Sequence, residues 1–308
     1  MLTSSQLRER FVAAATARFE TQVPDFARLR ALIRAHGGRV HNDHGAVRSA
    51  DPQRCRLLVE AAGVMGLYPE REYRFPAKKL RSFDLQVPGE DAGQFKIFVS
   101  EVDLDAFPAA VAAQIRADCA AQAAAVDLAP LRELIQRAQS AGGLQADEAE
   151  RFIQYLLERL MRRHGPPLKR STVEAVAAVS GEAASALALG PDFNHLTLDV
   201  QAAGYASIED MDAALRAAGF QMLPAIQGEP GACLRQTATR AASVPTPVLE
   251  ADGRLGSAAT EQQFVEIIER GWVNDAQGRR LRFKHFLTGN AERIFDAAST
   301  RSARRQPP

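Results

Sequence analysis

Two short segments about 150 residues apart set an asparagine just upstream of a histidine and then enter an apolar run. The first is His41-Asn42-Asp43-His44-Gly45-Ala46-Val47-Arg48, and the second is Asp192-Phe193-Asn194-His195-Leu196-Thr197-Leu198. Imidazole is the commonest side-chain metal ligand. A repeated module with one histidine per copy is a direct way to bring two imidazoles to one ion. The third ligand is then sought among carboxylates of the later strands, and Glu266 in Gln263-Phe264-Val265-Glu266-Ile267-Ile268-Glu269 leads. Two imidazoles and a carboxylate on one face of an octahedral ion leave positions open. That set suits Fe(II), a bidentate substrate and O2. Mn2+ accepts the same donors, and Zn2+ also uses two histidines and a glutamate. The competing reading makes both histidines hydrogen-bonded core residues. Their matched positions in two apparent repeats weigh toward metal.

Other polar residues compete for roles around this set. Glu269 rivals Glu266. The two lie three apart on a strand and so face opposite ways, but periodicity does not choose between them. Arg48 lies four residues after His44 and shares its strand face. A guidinium there is suited to fork onto a substrate carboxylate, or else it is a surface arginine paired with an acid. Gln236, in Leu234-Arg235-Gln236-Thr237, either orients a polar substrate or satisfies a sheet edge. His36 and His164 each precede a glycine and read as helix C-terminal residues. His41 reads as a loop residue, and His285 is held as a reserve ligand at a surface or sheet edge.

These residues need elements to position them. Leu7, Phe11, Ala14, Ala15 and Phe19 recur at helical spacing, with Ser4 or Ser5 as cap, and a second helix spans Asp25 to Ala35. From Val40 the pattern changes to a strand at 45–48, a helix from Pro52 to Gly66, and strands at 71–75, 79–86 and 95–101. Residues 103–189 read as an Ala-rich helical insertion, with runs at 109–125, 128–141, 146–163 and 171–189. The last run is opened by the capping-box spacing of Ser171 and Glu174. The first pattern then returns. A strand at 196–200 precedes a helix from Ser207 to Ala218, and strands follow at 220–224, 233–240 and 263–269. Both modules, about 40–102 and 193–271, thus read β-α-β-β-β. Each carries a carboxylate on its final strand, Glu101 and Glu266. The expectation is an α+β protein of one domain over 1–308, with the paired modules forming one cupped sheet.

Composition narrows the function classes. A formal net charge of +1 gives no reason to expect nucleic acid or an acidic membrane as partner. The Arg159–Arg163 cluster reads as a solvated helix face, and Arg301–Arg305 as a frayed terminus. Cys55, Cys119 and Cys233 are too few and too scattered for a disulfide framework, which points to the reducing cytoplasm. The first thirty residues lack the apolar stretch of a signal peptide, and no run reaches transmembrane length. Oligomeric state is not readable.

Five stretches together resemble the 2-oxoadipate dioxygenase/decarboxylase (hydroxyglutarate synthase) family. They are Asn42 to Arg48, Ile97 to Glu101, Phe193 to Thr197, Leu234 to Thr237 and Phe264 to Ile267, in this order. The chain resembles a short branch of that family. The resemblance implies a fold related to vicinal-oxygen-chelate proteins and a non-haem Fe(II) held by His44, His195 and Glu266. It favours Glu266 over Glu269, because the family's glutamate follows the phenylalanine of the last motif by two residues. It further implies that Arg48 clamps a substrate carboxylate and that Gln236 contacts substrate. The implied reaction takes a 2-oxo acid and O2. For 2-oxoadipate it yields 2-hydroxyglutarate and CO2. Another metal enzyme on the same scaffold, an isomerase or hydrolase, and a non-enzymatic binding module are the alternatives.

Overall fold

The computed structural model describes residues 1–89, 93–261, 263–287 and 289. Two helices, α1 (Ser4–Gln22) and α2 (Pro24–Ala35), precede the first module. That module holds β1 (Asn42–Ser49), α3 (Pro52–Val64), β2 (Tyr68–Phe75), β3 (Leu80–Gln86) and β4 (Lys96–Val102). The insertion holds α4 (Ala109–Ala124), α5 (Ala129–Ala141), α6 (Ala146–Tyr155), β5 (Leu168–Lys169), α7 (Arg170–Val179) and α8 (Gly181–Leu189). The second module holds β6 (Phe193–Asp199), α9 (Ile208–Ala217), β7 (Leu234–Ala238), β8 (Ser243–Leu249), β9 (Leu255–Glu261) and β10 (Phe264–Arg270). A small hairpin, β11 (Trp272–Asn274) and β12 (Arg280–Arg282), follows.

Local chemistry sets these boundaries. Helix α1 starts one residue earlier than a Ser4 cap would place it and two earlier than a Ser5 cap, because Thr3 is the cap. The Thr3 hydroxyl accepts from the Gln6 amide at 3.2 Å, and the Gln6 side chain accepts from the Thr3 amide at 3.0 Å. Asp51 caps α3 ahead of Pro52, and Ser207 caps α9 by accepting from the Asp210 amide at 3.1 Å.

Seven strands form the main sheet in the order β2-β3-β4-β1-β6-β10-β7. β1 runs parallel to β4, β6 runs parallel to β10, and β1 meets β6 antiparallel at the centre. The repeat is therefore real at the level of topology: β1 corresponds to β6, β4 to β10 and β3 to β7. One face of the sheet carries Val47, Ile97, Val99, Leu196, Leu198, Val265 and Ile267 into a core with α1, α2, α3, α5 and α6. Ala46, Phe75, Leu80, Phe98 and Val102 turn to the other face and pack with α4, α7 and α8. Alternation along each strand, interrupted by irregularities in the β1–β6 pairing, makes this division, and it decides which polar residues share a chamber.

The structure corrects several expectations. The strand expected at 220–224 is reduced to a single bridge, Met222 to Thr239; Pro224 has no amide to extend a ladder. The helix expected over 171–189 is two helices. Ser180 breaks it in extended conformation (φ −150°, ψ 118°) and its hydroxyl accepts from the Ala183 amide at 3.1 Å. Ser171 caps nothing, because α7 begins at Arg170 without a side-chain cap. The Arg159–Arg163 segment is no uniform solvated face. It ends a π-helical turn, Leu156–Leu160, with Leu160 and Met161 buried. Residues 243–261, unassigned above, form the β8–β9 hairpin, which pairs with β5 in a separate three-stranded sheet. Pro245 and Pro247 disguised β8, but it meets β5 only at Val248 and Leu249, so both prolines sit on an open edge. The Arg301–Arg305 tail lies outside the described residues.

Candidate metal centre

The two histidines come from the central strand pair. His44 on β1 lies opposite Thr197, and His195 on β6 lies opposite Ala46. In the parallel ladder beyond, Glu266 on β10 lies beside Thr197. All three side chains are buried, and one ligand atom from each falls within 4.8 Å of the others. Glu266 Oε2 is 3.1 Å from His195 Nε2 and 3.4 Å from His44 Nε2. The Thr197 hydroxyl donates to the same Oε2 at 3.0 Å and lies 3.1 Å from His44 Nε2.

A β-bulge makes this convergence possible. Ala46 faces His195 but Val47 faces Phe193, so Asn194 is an extra residue on β6. Phe193 turns to the helix side, 6.3 Å from the Phe11 ring. His195 turns to the opposite side and stacks on Phe264 at 4.7 Å. The bulge is next to the histidine, which its extra residue helps aim.

A buried charge network supports His44. Its Nδ1 is 2.8 Å from Asp43 Oδ2. Asp43 in turn accepts a two-pronged contact from Arg270, at 2.6 Å from Nε and 2.7 Å from Nη2. Lys96 Nζ stands 3.7 Å from Asp43 Oδ1. Burial alone would raise the Asp43 carboxyl, but Arg270 and Lys96 hold it well below its usual range. The two imidazoles differ for a stated reason. Burial lowers the pKa of both rings, and for His195 it prevails. For His44 the hydrogen bonds to Asp43 and Glu266 outweigh burial, and the value rises. Burial also opposes ionisation of Glu266, yet the bonds to His195 and His44 bring its pKa down to about 2.

These features fit a divalent metal. The set is two imidazoles and an ionised carboxylate on one sheet face. Asp43 fixes His44 through Nδ1, which turns Nε2 to the shared centre. A carboxylate behind a ligating histidine is the usual support for such a ring.

The remaining candidates fall on both sides of the sheet. Glu269 faces the helices, accepting from the Ile208 amide and from Arg235, each at 3.3 Å. Glu101 also faces away from the site. By register, the repeat counterpart of Glu266 is Phe98, since His44 pairs with Lys96 as His195 pairs with Phe264. The expected match of Glu101 to Glu266 is therefore corrected: Glu101 matches Glu269. Arg48 is buried rather than at the surface. It lies on the histidine side beside Asn194 and Ser185, and burial pushes its pKa down to about 10. Gln236 is also buried on that side, opposite Ile268, with its backbone bridged to Gln227. His41 precedes β1, where its carbonyl accepts from the Asp199 amide at 3.2 Å. His36 caps α2 and stacks on Tyr205 at 4.0 Å; His164 contacts the Arg159 carbonyl at 3.0 Å. His285 supplies no ligand atom to the cluster. Sequence reasoning missed Thr197, Asp43, Arg270 and Phe286. Asp43 carried a faint signal as the acid next to His44; Arg270 and Phe286 carried none.

A sheet built from two like modules, with the candidate ligand set on one face, is a fold shared with solved structures. A glyoxalase superfamily protein from Ralstonia eutropha superposes with a TM-score of 0.77 at 20% identity, covering 87% of this chain and 84% of that one. The hydroxyglutarate synthase of Oryza sativa, solved in complex with 2-oxoadipate, gives 0.72 at 20% identity, covering 98% and 95%. The chain belongs to the 2-oxoadipate dioxygenase/decarboxylase family, whose model matches residues 11–306. A Mycobacterium tuberculosis 2-oxoadipate dioxygenase/decarboxylase is 25% identical over 321 residues, 90% of this chain and 73% of its own length. The Escherichia coli protein of the same description is 24% identical over 314 residues, 91% of this chain and 67% of its own length. No helix among the described residues is long and apolar enough to cross a membrane.

Proposed function

We propose that this chain is an Fe(II)-dependent dioxygenase that oxidatively decarboxylates a 2-oxo acid. The leading substrate is 2-oxoadipate, with 2-hydroxyglutarate and CO2 as products. The observation that carries the reading is the buried cluster of His44, His195 and Glu266 in a chain of this family. Bound Fe(II) would supply the oxygen chemistry, and the three side chains would leave the other positions open to the 2-oxo carboxylate and O2.

The chain's own residues supply binding and exclusion of water. Arg48 lies four strand residues from His44, a Cα separation of ~13 Å by strand rise. Its side chain covers part of that span, which suits an acid with a second carboxylate at its far end. Gln236, on the same face as Glu266, would orient the polar chain between. Phe264 stacks on one ligand ring and Phe286 meets the other edge-on at 4.7 Å, so apolar surface walls both imidazoles. The shared sheet and continuous core of the two modules support a single domain, and the scattered cysteines support the cytoplasm.

The test is O2 uptake and CO2 release by iron-loaded protein across 2-oxo acids of several lengths. Activity with 2-oxoadipate, lost in His195→Ala, is expected. Anaerobic Fe(II) with the acid should also show the charge-transfer band of a chelated 2-oxo acid. Absence of O2 uptake with every acid in the series would overturn the proposal.

A further inference from the structure

Arg270 ends β10, four residues beyond Glu266, and its guanidinium is fully buried. Two of its nitrogens grip Asp43, as described. The third, Nη1, donates to the carbonyls of Phe283 and His285 at 3.0 and 2.9 Å. The chain from Phe283 to Phe286 is thereby strapped over the metal centre. Phe286 packs edge-on against His44, lies 5.0 Å from the Phe98 ring, and has the Arg270 guanidinium 5.4 Å from its own ring. Its amide donates to the Tyr73 hydroxyl at 3.4 Å.

We propose that Arg270 is a positioning residue that couples the seating of this strap to the orientation of the ligand His44. The route is short: strap carbonyls to Arg270, Arg270 to Asp43, and Asp43 to His44 Nδ1. Neutralising Asp43 does not explain Arg270, because Lys96 already brings a positive charge to the same carboxylate. Arg270 adds a planar fork that spans a carboxylate and two backbone carbonyls at once. A lysine is a point charge and cannot span them. Coupling of this kind is reciprocal: whatever fixes the His44 ring steadies the strap, and a seated strap favours the ring orientation that binds metal.

The inference rests on the proposed metal site but not on the proposed reaction. Its test uses Co(II) as the probe. Affinity is read from the visible spectrum, and amide hydrogen exchange is followed over 283–287 with and without the ion. In the wild-type chain Co(II) is expected to slow exchange in the strap. In Arg270→Lys, Co(II) affinity should fall about 10- to 100-fold and the metal-dependent slowing should vanish, while β6 amides stay protected. Phe286→Ala reads the same coupling from the other end, with weaker Co(II) binding although Arg270 is intact. It serves on its own if Arg270→Lys does not fold. Co(II) affinity unchanged in the variants, or strap protection that survives Arg270→Lys, overturns the inference. A wild-type chain that takes up no metal overturns both the inference and the proposed function. Coupling without O2 uptake on any 2-oxo acid leaves the inference standing and removes only the proposed reaction.

Discussion

At the scale of single residues, Thr197 is the hinge of the site. It sits between the two ladders that carry His44 and Glu266, and its hydroxyl bonds to the glutamate oxygen facing both imidazoles. Replacing it with valine keeps the shape and removes the donor that orients Glu266. Thr197→Val is expected to weaken metal binding by about tenfold, measured by equilibrium titration. Glu266 and Glu269 give a sharper contrast. Because they occupy opposite faces, Glu266→Ala should abolish stoichiometric metal while Glu269→Ala should leave it intact, as read by metal analysis of purified protein. Which glutamate points inward was invisible to periodicity alone, since both faces of β10 are buried. The family resemblance favoured Glu266, and the face occupied by each side chain separates the two in the structure.

At the scale of elements, the sheet centre depends on close approach between β1 and β6. A Cβ added at Gly45 would lie 2.4 Å from Phe193 Cε1 and 2.9 Å from a Leu196 methyl carbon. Both neighbours are held in the helix-side core, so Gly45→Ala should destabilise the fold by about 1–3 kcal/mol, measured by denaturant midpoint. The strap has an electrostatic tie as well: Lys284 Nζ lies 2.9 Å from Glu70 on β2. The hydrogen bond from Lys284 lowers the Glu70 pKa against a smaller opposing effect of burial. A depressed carboxyl contributes stability above its ordinary value near 4.5, and that stability is lost as pH falls through the folded value. Strap protection factors, taken relative to the intrinsic exchange rate at each pH, should therefore fall on acidification more in the wild-type chain than in Glu70→Gln. The pair is partly exposed, so the effect should stay below ~1 kcal/mol. Helices and strands with clean periodicity were readable in the sequence. The bulge at Asn194 was not, because it is defined by pairing across strands far apart in the chain. The β8–β9 hairpin was hidden by prolines that only an open edge accommodates.

At the scale of the molecule, the paired modules were legible because each repeats the order of strand, helix and returning strands around one histidine. What the order could not reveal is how unequal the copies are. The first module gives four strands to the main sheet and the second gives three, with its β8–β9 excursion paired elsewhere. The candidate ligand set is divided between them, His44 from one and His195 with Glu266 from the other. A fragment of residues 1–189 should accordingly bind no stoichiometric metal, and co-expression with 190–308 should restore binding, checked by metal content after co-purification.

That inequality has a chemical meaning at Phe98. The approximate twofold between β1 and β6 relates His44 to His195 and, through the register, Phe98 to Glu266. With an acid at position 98, an ion on that axis would meet two acids as well as two imidazoles. In the proposed metal site, phenylalanine at this position would leave one more coordination position open. Restoring the symmetry with Phe98→Glu should tighten divalent-ion binding and lower O2 uptake together, because a fourth protein ligand would leave fewer positions for substrate and O2.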